Sequence, residues 1–250
     1  MQTDQIAVSP CSRPAMPLDE VLAAYAAIGY RRFEIFTAGL KSAFDYKADP
    51  EFYISAGARH GMQFLSLHLP PIRREQMDET LADAVRAAEF AAAIGVKIVL
   101  YKAADRPTYI EAAERFLDAI AGLDITPVVQ NHFGTPTSSL DNIKEVMEGI
   151  GDERMKSLLE VGQYHSAGVT WREAAEYLGG SIALVHIKDQ IGPQSVPFGK
   201  GEVDLPGLFA FLDDSGYNGC YVVEMEVADP ENTLKYLEDA MGYMKSFCKA

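Results

Sequence analysis

The chain has 250 residues, of which 48% are hydrophobic and 23% are charged, a composition typical of one soluble globular domain. Its formal net charge of −14 disfavours binding to nucleic acid, and no run of basic residues is longer than a pair such as Arg73-Arg74. It contains no apolar run of roughly 20 residues, so we expect no membrane span. The N-terminal segment lacks a charged stretch followed by an apolar one, so we expect no secretory signal.

The cysteines are too few and too widely spaced for a disulfide framework or a zinc-binding motif. They are Cys11, Cys220 and Cys248. This usage is typical of a reducing compartment, and we therefore expect a cytoplasmic protein.

Short apolar runs that alternate with longer amphipathic segments predict a β-then-α order along the chain. The predicted strands cover residues 6–9, 32–36, 62–68, 97–101, 127–132, 157–161, 182–188 and 220–226. Several intervening segments carry helix signals. Thr170 and Asp204 are predicted N-caps, Pro206 lies in a first turn, and Gly95, Gly179 and Gly216 are predicted helix stops.

This order repeats about every 31 residues, which predicts eight βα units in 250 residues. Strands that alternate with helices form parallel sheets through right-handed crossovers, and eight units favour a closed (β/α)8 TIM barrel. No glycine-rich dinucleotide motif follows the first strand. The sequence therefore predicts a single α/β barrel domain over residues 1–250. Its longest loops, 37–50 and 189–203, follow the second and seventh strands, on the face where barrel active sites form.

Polar side chains end five of the predicted strands. They are His68, Gln130, Glu160, His186 and Glu224, and further polar residues follow at His132, Lys188 and Glu226. Alternation places His68 on the face of Ser66 and Phe64, and His132 on the face of Gln130. A carboxylate inside a barrel is costly unless it is paired or binds a cation.

Two carboxylates, an imidazole and an amide oxygen at one barrel mouth predict a site for one divalent ion, with Mn, Zn, Co and Mg as candidates. The predicted ligands are Gln130, Glu160, His186 and Glu224. The alternative is that the histidines are structural and that lysine neutralises the acids, with Lys188 paired to Glu160 or Glu226.

Five segments resemble the xylose-isomerase-like barrel superfamily of sugar phosphate isomerases and epimerases. They read "GYRRFEIF", "QNHFGT", "EVGQYHSAG", "VHIKD" and "GKGEVDLPGLFAFLDDSGYNGCYVVEME". The superfamily also includes ketose 3-epimerases, hydroxypyruvate isomerases, inosose and dehydroshikimate dehydratases and, more distantly, type IV apurinic endonucleases. The resemblance implies one divalent ion held by Glu, Asp, His and Glu from the last four strands.

The chain departs from that pattern at several positions. Gln130 replaces the expected Glu, Glu160 replaces Asp, and Gln163 stands where a histidine is common, while His165 follows two residues later. The neutral Gln130 removes one negative charge from the ion site and cannot act as a base. Loss of a positioned base costs roughly 10²–10⁴ in rate, so epimerisation with two bases is disfavoured.

A mechanism with one base remains. Glu224 would remove a proton next to a carbonyl group, and Lys188 or His68 would stabilise the resulting oxyanion or protonate a leaving group. Either isomerisation or dehydration would follow. The predicted substrate-binding residues are His132, Gln163, Glu34 and Glu226, although a structural hydrogen bond explains Glu34 equally well.

We therefore expect a metal-dependent isomerase or epimerase-type enzyme that acts on a small sugar or another polyhydroxylated carbonyl compound. The alternatives are a dehydratase of the same superfamily and a barrel that binds a metabolite without turnover. The expected partner is a small carbohydrate, with no nucleic acid and no membrane, and a homodimer is possible. The turn Gly199-Lys200-Gly201 is a candidate phosphate-binding loop.

Overall fold

The computed structural model describes residues 1–249, which form a closed barrel of eight parallel strands surrounded by helices. The strands are β1 (Ile6–Val8), β2 (Arg32–Phe36), β3 (Gln63–His68), β4 (Ile98–Leu100), β5 (Thr126–Gln130), β6 (Lys156–Glu160), β7 (Ile182–Ile187) and β8 (Cys220–Val223). Each pairs with its neighbour in sequence, and β8 closes the barrel against β1. The predicted TIM barrel is confirmed.

The helices are α1 (Leu18–Ile28), α2 (Pro50–His60), α3 (Met77–Ala93), α4 (Arg106–Ala119), α5 (Leu140–Ile150), α6 (Val161–Ser166), α7 (Trp171–Leu178), α8 (Leu205–Asp214) and α9 (Thr233–Lys245). Single 3₁₀ turns cover Thr3–Gln5, Pro10–Ser12, Arg74–Gln76 and Gly179–Ser181. Both predicted N-caps are confirmed, because the side chains of Thr170 and Asp204 accept hydrogen bonds from the amides of Glu173 and Gly207. None of the described helices is long and apolar enough to cross a membrane.

Two apolar layers hold the barrel together. The inner layer fills the barrel and consists of Ala7, Leu65, Ile98, Leu100, Val128, Leu158, Leu184, Cys220 and Val222. The larger outer layer lies between the strands and the helices, and includes Tyr164 and Trp171. The inner layer lies below the polar strand ends, so it forms the floor of the mouth.

The predicted facing of β3 is wrong for Phe64. The pairing of β2 with β3 shifts by one residue between Phe33 and Glu34, which leaves Leu65 as the extra residue. Phe64 therefore belongs to the outer layer, where its ring meets Phe44 edge to face with the centroids 5.0 Å apart. Ser66 remains on the mouth side.

Several strands end earlier than predicted. β5 ends at Gln130, so His132 lies in the following loop and does not share a strand face with Gln130. β7 and β8 end at Ile187 and Val223, so Lys188 and Glu224 are the first residues beyond them. These two side chains thus stand at the rim of the barrel wall rather than within it.

The segment 189–203 is more ordered than a loop. It contains an antiparallel hairpin of Asp189–Ile191 and Gln194–Val196. The buried Asp189 carboxylate accepts hydrogen bonds from the amides of Gly199 and Gly201, at 2.8 and 2.9 Å, and also from Gln190 and Val203. The prediction that this turn binds phosphate is therefore wrong, because its glycine amides already donate to a carboxylate of the chain itself.

We expect Asp189→Ala to lower the free energy of unfolding by about 1–3 kcal/mol, because four amides lose their acceptor. Urea unfolding monitored by circular dichroism measures the change. Asp239→Ala removes an exposed carboxylate paired with Lys235 and should change stability by less than about 0.5 kcal/mol. Equal effects of the two substitutions would contradict the assigned role of Asp189.

Candidate active site

The imidazole of His186 lies at the centre of three buried carboxylates at the barrel mouth. Its Nδ1 atom is 3.1 Å from Glu160 Oε2 and 3.3 Å from Glu224 Oε1, and its Nε2 atom is 3.0 Å from Glu34 Oε1. Barrel register produces this arrangement, because His186 pairs with Glu160 across β6 and β7 and with Val222 across β7 and β8. The structure therefore brings Glu160, His186 and Glu224 together as predicted, and adds Glu34.

Glu34 is surrounded by donors from two other strands. Its Oε1 atom accepts a hydrogen bond from Ser66 Oγ at 3.0 Å, and His68 Nε2 lies 3.1 Å away. The two histidine Nε2 atoms lie within ion-pair distance of Glu34, but their ring N–H directions do not complete hydrogen bonds. Among the described residues, His68 Nε2, His186 Nε2 and Glu34 Oε2 are therefore buried without a hydrogen-bond partner.

These buried atoms fit a divalent cation. One ligand atom each from Glu34, His186 and Glu224 lie within 4.8 Å of one another. Carboxylate and imidazole donors suit several divalent metals, and buried polar atoms without partners are costly unless a ligand satisfies them. Gln130, at the end of β5, is also buried. The residues present can thus hold a metal ion.

Lys188 supplies a counter-charge to the acids. Its buried ammonium lies 2.9 Å from Glu224 Oε2 and also donates to Glu226. Its side chain passes directly over Gly162, where an added Cβ would come within 2.7 Å of Lys188 Cβ. Of the two partners that the sequence suggested for Lys188, the structure therefore shows Glu226 and not Glu160. Lys188 forms a second ion pair with Glu224. The Glu226 side chain is 45% exposed and lies at the outer edge of the site.

Burial and pairing separate the acidities of these groups. Burial raises the pKa of Glu160 to about 7, and the nearby Glu224 carboxylate acts in the same direction. Burial also raises the pKa of Glu224, but Lys188 and His186 outweigh it and hold that pKa well below its usual value. Burial lowers the pKa of His186, yet Glu34 and Glu224 outweigh it and raise the pKa.

His68 differs from His186 in charge. Burial lowers the pKa of His68 to about 4, and the neighbouring Lys102 ammonium adds to this effect. Burial raises the pKa of Glu34, but His186 and His68 outweigh it and the pKa is lowered. At neutral pH the mouth therefore combines a charged His186, a neutral His68 and ionised Glu34 and Glu224 carboxylates.

Three side chains that the sequence reasoning missed support the site. Lys102 Nζ lies 2.8 Å from His68 Nδ1, and the ring of Phe36 stacks on His68 with the centroids 3.8 Å apart. The side chain of Asn131 forms two 3.0 Å hydrogen bonds with the backbone of Glu160. Each residue lies at the end of a strand or within two residues after it, and this position was the only available signal.

Two predicted substrate-binding residues lie apart from the network around His186. His132 is exposed in the loop after β5, with Nδ1 3.0 Å from the carbonyl oxygen of Phe133. Gln163, on α6, accepts a hydrogen bond from the Phe133 amide at 3.1 Å. His165 lies 3.2 Å from the exposed Glu202. These contacts connect α6 to neighbouring loops, and none of them reaches the buried carboxylates.

Residues 22–247 match the xylose isomerase-like TIM barrel family, and the chain belongs to that family. The predicted resemblance is confirmed. A segment of 69 residues is 39% identical to an L-ribulose-5-phosphate 3-epimerase of Salmonella paratyphi C, and covers 27% of this chain and 24% of the epimerase. A longer segment of 161 residues is 26% identical to an inosose dehydratase of Geobacillus thermodenitrificans, and covers 56% of this chain and 53% of the dehydratase.

The matched segments thus span about a quarter of the epimerase and about half of the dehydratase. A solved structure of the IOLI protein with a binding zinc atom superposes with a TM-score of 0.81 over 97% of both chains, at 14% identity. At that identity the superposition shows a shared barrel.

The raised pKa of Glu160 predicts a pH-dependent stability. Between the ordinary carboxyl pKa of 4.5 and about 7, the unfolded chain loses a proton that the folded chain retains, so stability falls as pH rises through this window. We expect metal-free Glu160→Gln to lack this part of the decline. Urea unfolding of both proteins at pH 5 to 8 in chelator tests this, and parallel pH profiles would refute it.

Proposed function

We propose that this protein is an enzyme that removes a proton next to the carbonyl group of a small polyhydroxylated compound. The observation that carries the proposal is the cluster of buried carboxylates around His186, which leaves several polar atoms without partners at the barrel mouth. Such a cluster is expensive to bury, and this end of the barrel is where TIM-barrel enzymes form their active sites.

We assign one divalent ion to the mouth, where Gln130, Glu160, His186 and Glu224 would hold it; His186 and Glu224 also belong to the group whose ligand atoms lie within 4.8 Å of one another. Glu34 already faces Ser66 Oγ and both histidine Nε2 atoms, so it suits the role of orienting the His186 ring. Metal-bound histidines commonly have a carboxylate at their other ring nitrogen. When bound, the ion would polarise the substrate carbonyl as a Lewis acid and so acidify the neighbouring C–H bond.

Glu224 is the proposed base. It is ionised because Lys188 and His186 hold its pKa low, and this would make it a weak base in the free protein. Lys188 touches the same carboxylate at 2.9 Å. As negative charge develops on a substrate oxygen, the Lys188 ammonium would turn towards that oxygen and leave Glu224 more basic. One residue would thus stabilise the enolate and assist proton removal.

Gln130 limits the outcome of this chemistry. An amide cannot return a proton to the opposite face of the same carbon, so inversion with two bases is disfavoured. After Glu224 removes the proton, two outcomes remain. Return of the proton to the former carbonyl carbon gives aldose–ketose isomerisation. Expulsion of the hydroxyl group from the carbon on the other side of the deprotonated carbon, together with that proton, gives dehydration and releases water.

Dehydration is the second candidate, and a specific observation favours it. The segment aligned with the inosose dehydratase is 161 residues long, against 69 for the epimerase. His68 suits this outcome, because its neutral ring is close to Glu34 and can donate a hydrogen bond to a departing hydroxyl. In both candidates the substrate is a carbohydrate or a related polyol ketone, and nucleic acid is not a proposed ligand.

We expect metal-stripped protein to bind Mn²⁺ or Zn²⁺ at one site, measured by isothermal titration calorimetry. Glu224→Gln should weaken binding more than about 100-fold, whereas Glu34→Gln should weaken it about tenfold, as substitutions of residues that orient a ligand do. Gln130→Glu should tighten binding by adding a negative charge. Glu202→Gln, at an exposed carboxylate, should leave binding unchanged. If Glu34→Gln weakens binding more than Glu160→Gln does, the ion lies on the Nε2 side of His186.

We expect the metal-loaded protein to exchange an α-hydrogen of its substrate with solvent deuterium, detected by NMR across a panel of ketoses and inososes. Glu224→Gln should reduce this exchange by about 10²-fold or more, and the half-exposed Glu226→Gln should reduce it less. A product with a new C=C or deoxy-ketone signal identifies dehydration. Binding of panel members without exchange or turnover would instead support a metabolite-binding barrel.

A further inference from the structure

The contact between Lys102 and His68 fixes where His68 carries its proton. Lys102 Nζ lies 2.8 Å from His68 Nδ1, and this is the only hydrogen bond of the Lys102 ammonium among the described residues. A lysine ammonium has three donors and no acceptor, so the imidazole nitrogen that faces it must accept. Nδ1 therefore carries a lone pair, and the ring proton lies on Nε2.

The opposite assignment conflicts with the other side of the ring. If Nδ1 carried the proton and donated to a neutral lysine, Nε2 would present a lone pair to Glu34 Oε1, 3.1 Å away. An ionised carboxylate only accepts hydrogen bonds, so two acceptors would face each other in a buried site. The Nε2–H form avoids this repulsion.

The orientation of the ring is also held. Phe36 stacks on His68 with the centroids 3.8 Å apart and the planes at 19°, and Lys102 Nζ lies 5.9 Å from the centre of the Phe36 ring. His68 Nε2 is buried and lacks a hydrogen-bond partner among residues 1–249. The fixed ring thus holds Nε2 at the mouth, beside Glu34 Oε1 but without a completed hydrogen bond to it.

We propose that Lys102 is a positioning residue that holds His68 as the neutral Nε2–H tautomer, so that His68 offers a hydrogen-bond donor to a substrate oxygen. This role rests on the proposed function of the mouth as an active site. It excludes His68 as a proton acceptor through Nε2. It also opposes a doubly protonated ring, because the second proton would lie on Nδ1 against the Lys102 ammonium.

The experiment is ¹⁵N NMR of the histidine rings in full-length, ¹⁵N-histidine-labelled protein treated with chelator. The His68 signals are identified by their loss in His68→Gln. We expect wild-type His68 to show a single Nε2–H tautomer at neutral pH. Lys102→Met should give a mixture of tautomers or a protonated ring, Lys102→Arg should keep the Nε2–H form, and Lys235→Met, at an exposed lysine on α9, should change nothing.

Wild-type His68 with its proton on Nδ1, or with both nitrogens protonated, would overturn the inference whether or not the variants fold. An unchanged tautomer in folded Lys102→Met would do the same. With a substrate in hand, Lys102→Met should lower kcat about tenfold or more with KM changed less than about threefold, and Lys102→Arg should restore part of the loss. Absence of any turnover by the wild type would count against the proposed function, but it would not contradict the inferred Nε2–H tautomer of His68.

Discussion

The structure of the mouth depends on one constraint, which is that several buried charges must neutralise one another. Glu34, Glu160 and Glu224 all contact the ring of His186, and Glu224 also contacts Lys188. An isolated buried carboxylate would cost several kcal/mol, so each acid needs its cation or a shared proton. Burial and the neighbouring Glu224 carboxylate raise the pKa of Glu160 to about 7, so this side chain retains its proton below that pH. The three carboxylates differ in acidity because their neighbours differ: His186 and His68 lower the pKa of Glu34, Lys188 and His186 lower that of Glu224, and burial with the Glu224 charge raises that of Glu160.

Barrel geometry makes this neutralisation possible. Adjacent strands place Glu160 beside His186 by register, whereas Glu34 reaches the same ring from β2, across the barrel. The apolar layer inside the barrel forms a floor of low polarity below them, which strengthens the electrostatic contacts above it. Close packing also extends to α6. This helix can lie against the Lys188 side chain only because residue 162 is a glycine. The contacts that stabilise the buried charges at the mouth are therefore the same contacts that set up its proposed chemistry.

Local patterns were sufficient to predict the barrel and most residues at its mouth, because repeat length, helix caps and strand alternation are properties of neighbouring residues. The errors arose where contacts between residues far apart in the sequence determine the local structure. The shifted pairing of β2 with β3 turned Phe64 outward, and only the fold shows which strand contains the extra residue. The Asp189 carboxylate reaches amides up to fourteen residues away, which turned a candidate ligand loop into a structural one. Lys102 was missed because no pattern in or after β4 connects it to His68 on β3.

The charge balance of the site explains why residue 130 is a glutamine rather than a glutamate. With His186 protonated and Glu160 neutral below about pH 7, the cations His186 and Lys188 face the carboxylates Glu34 and Glu224, and Glu226 lies at the edge. A fourth buried carboxylate at position 130 would have no cation of its own, whereas an amide would offer an oxygen without adding charge. In this arrangement the protons on His186 and Glu160 occupy the places that a divalent ion would take, since metal ligands must give up their protons. Binding of a divalent ion at this site would therefore have to displace these protons.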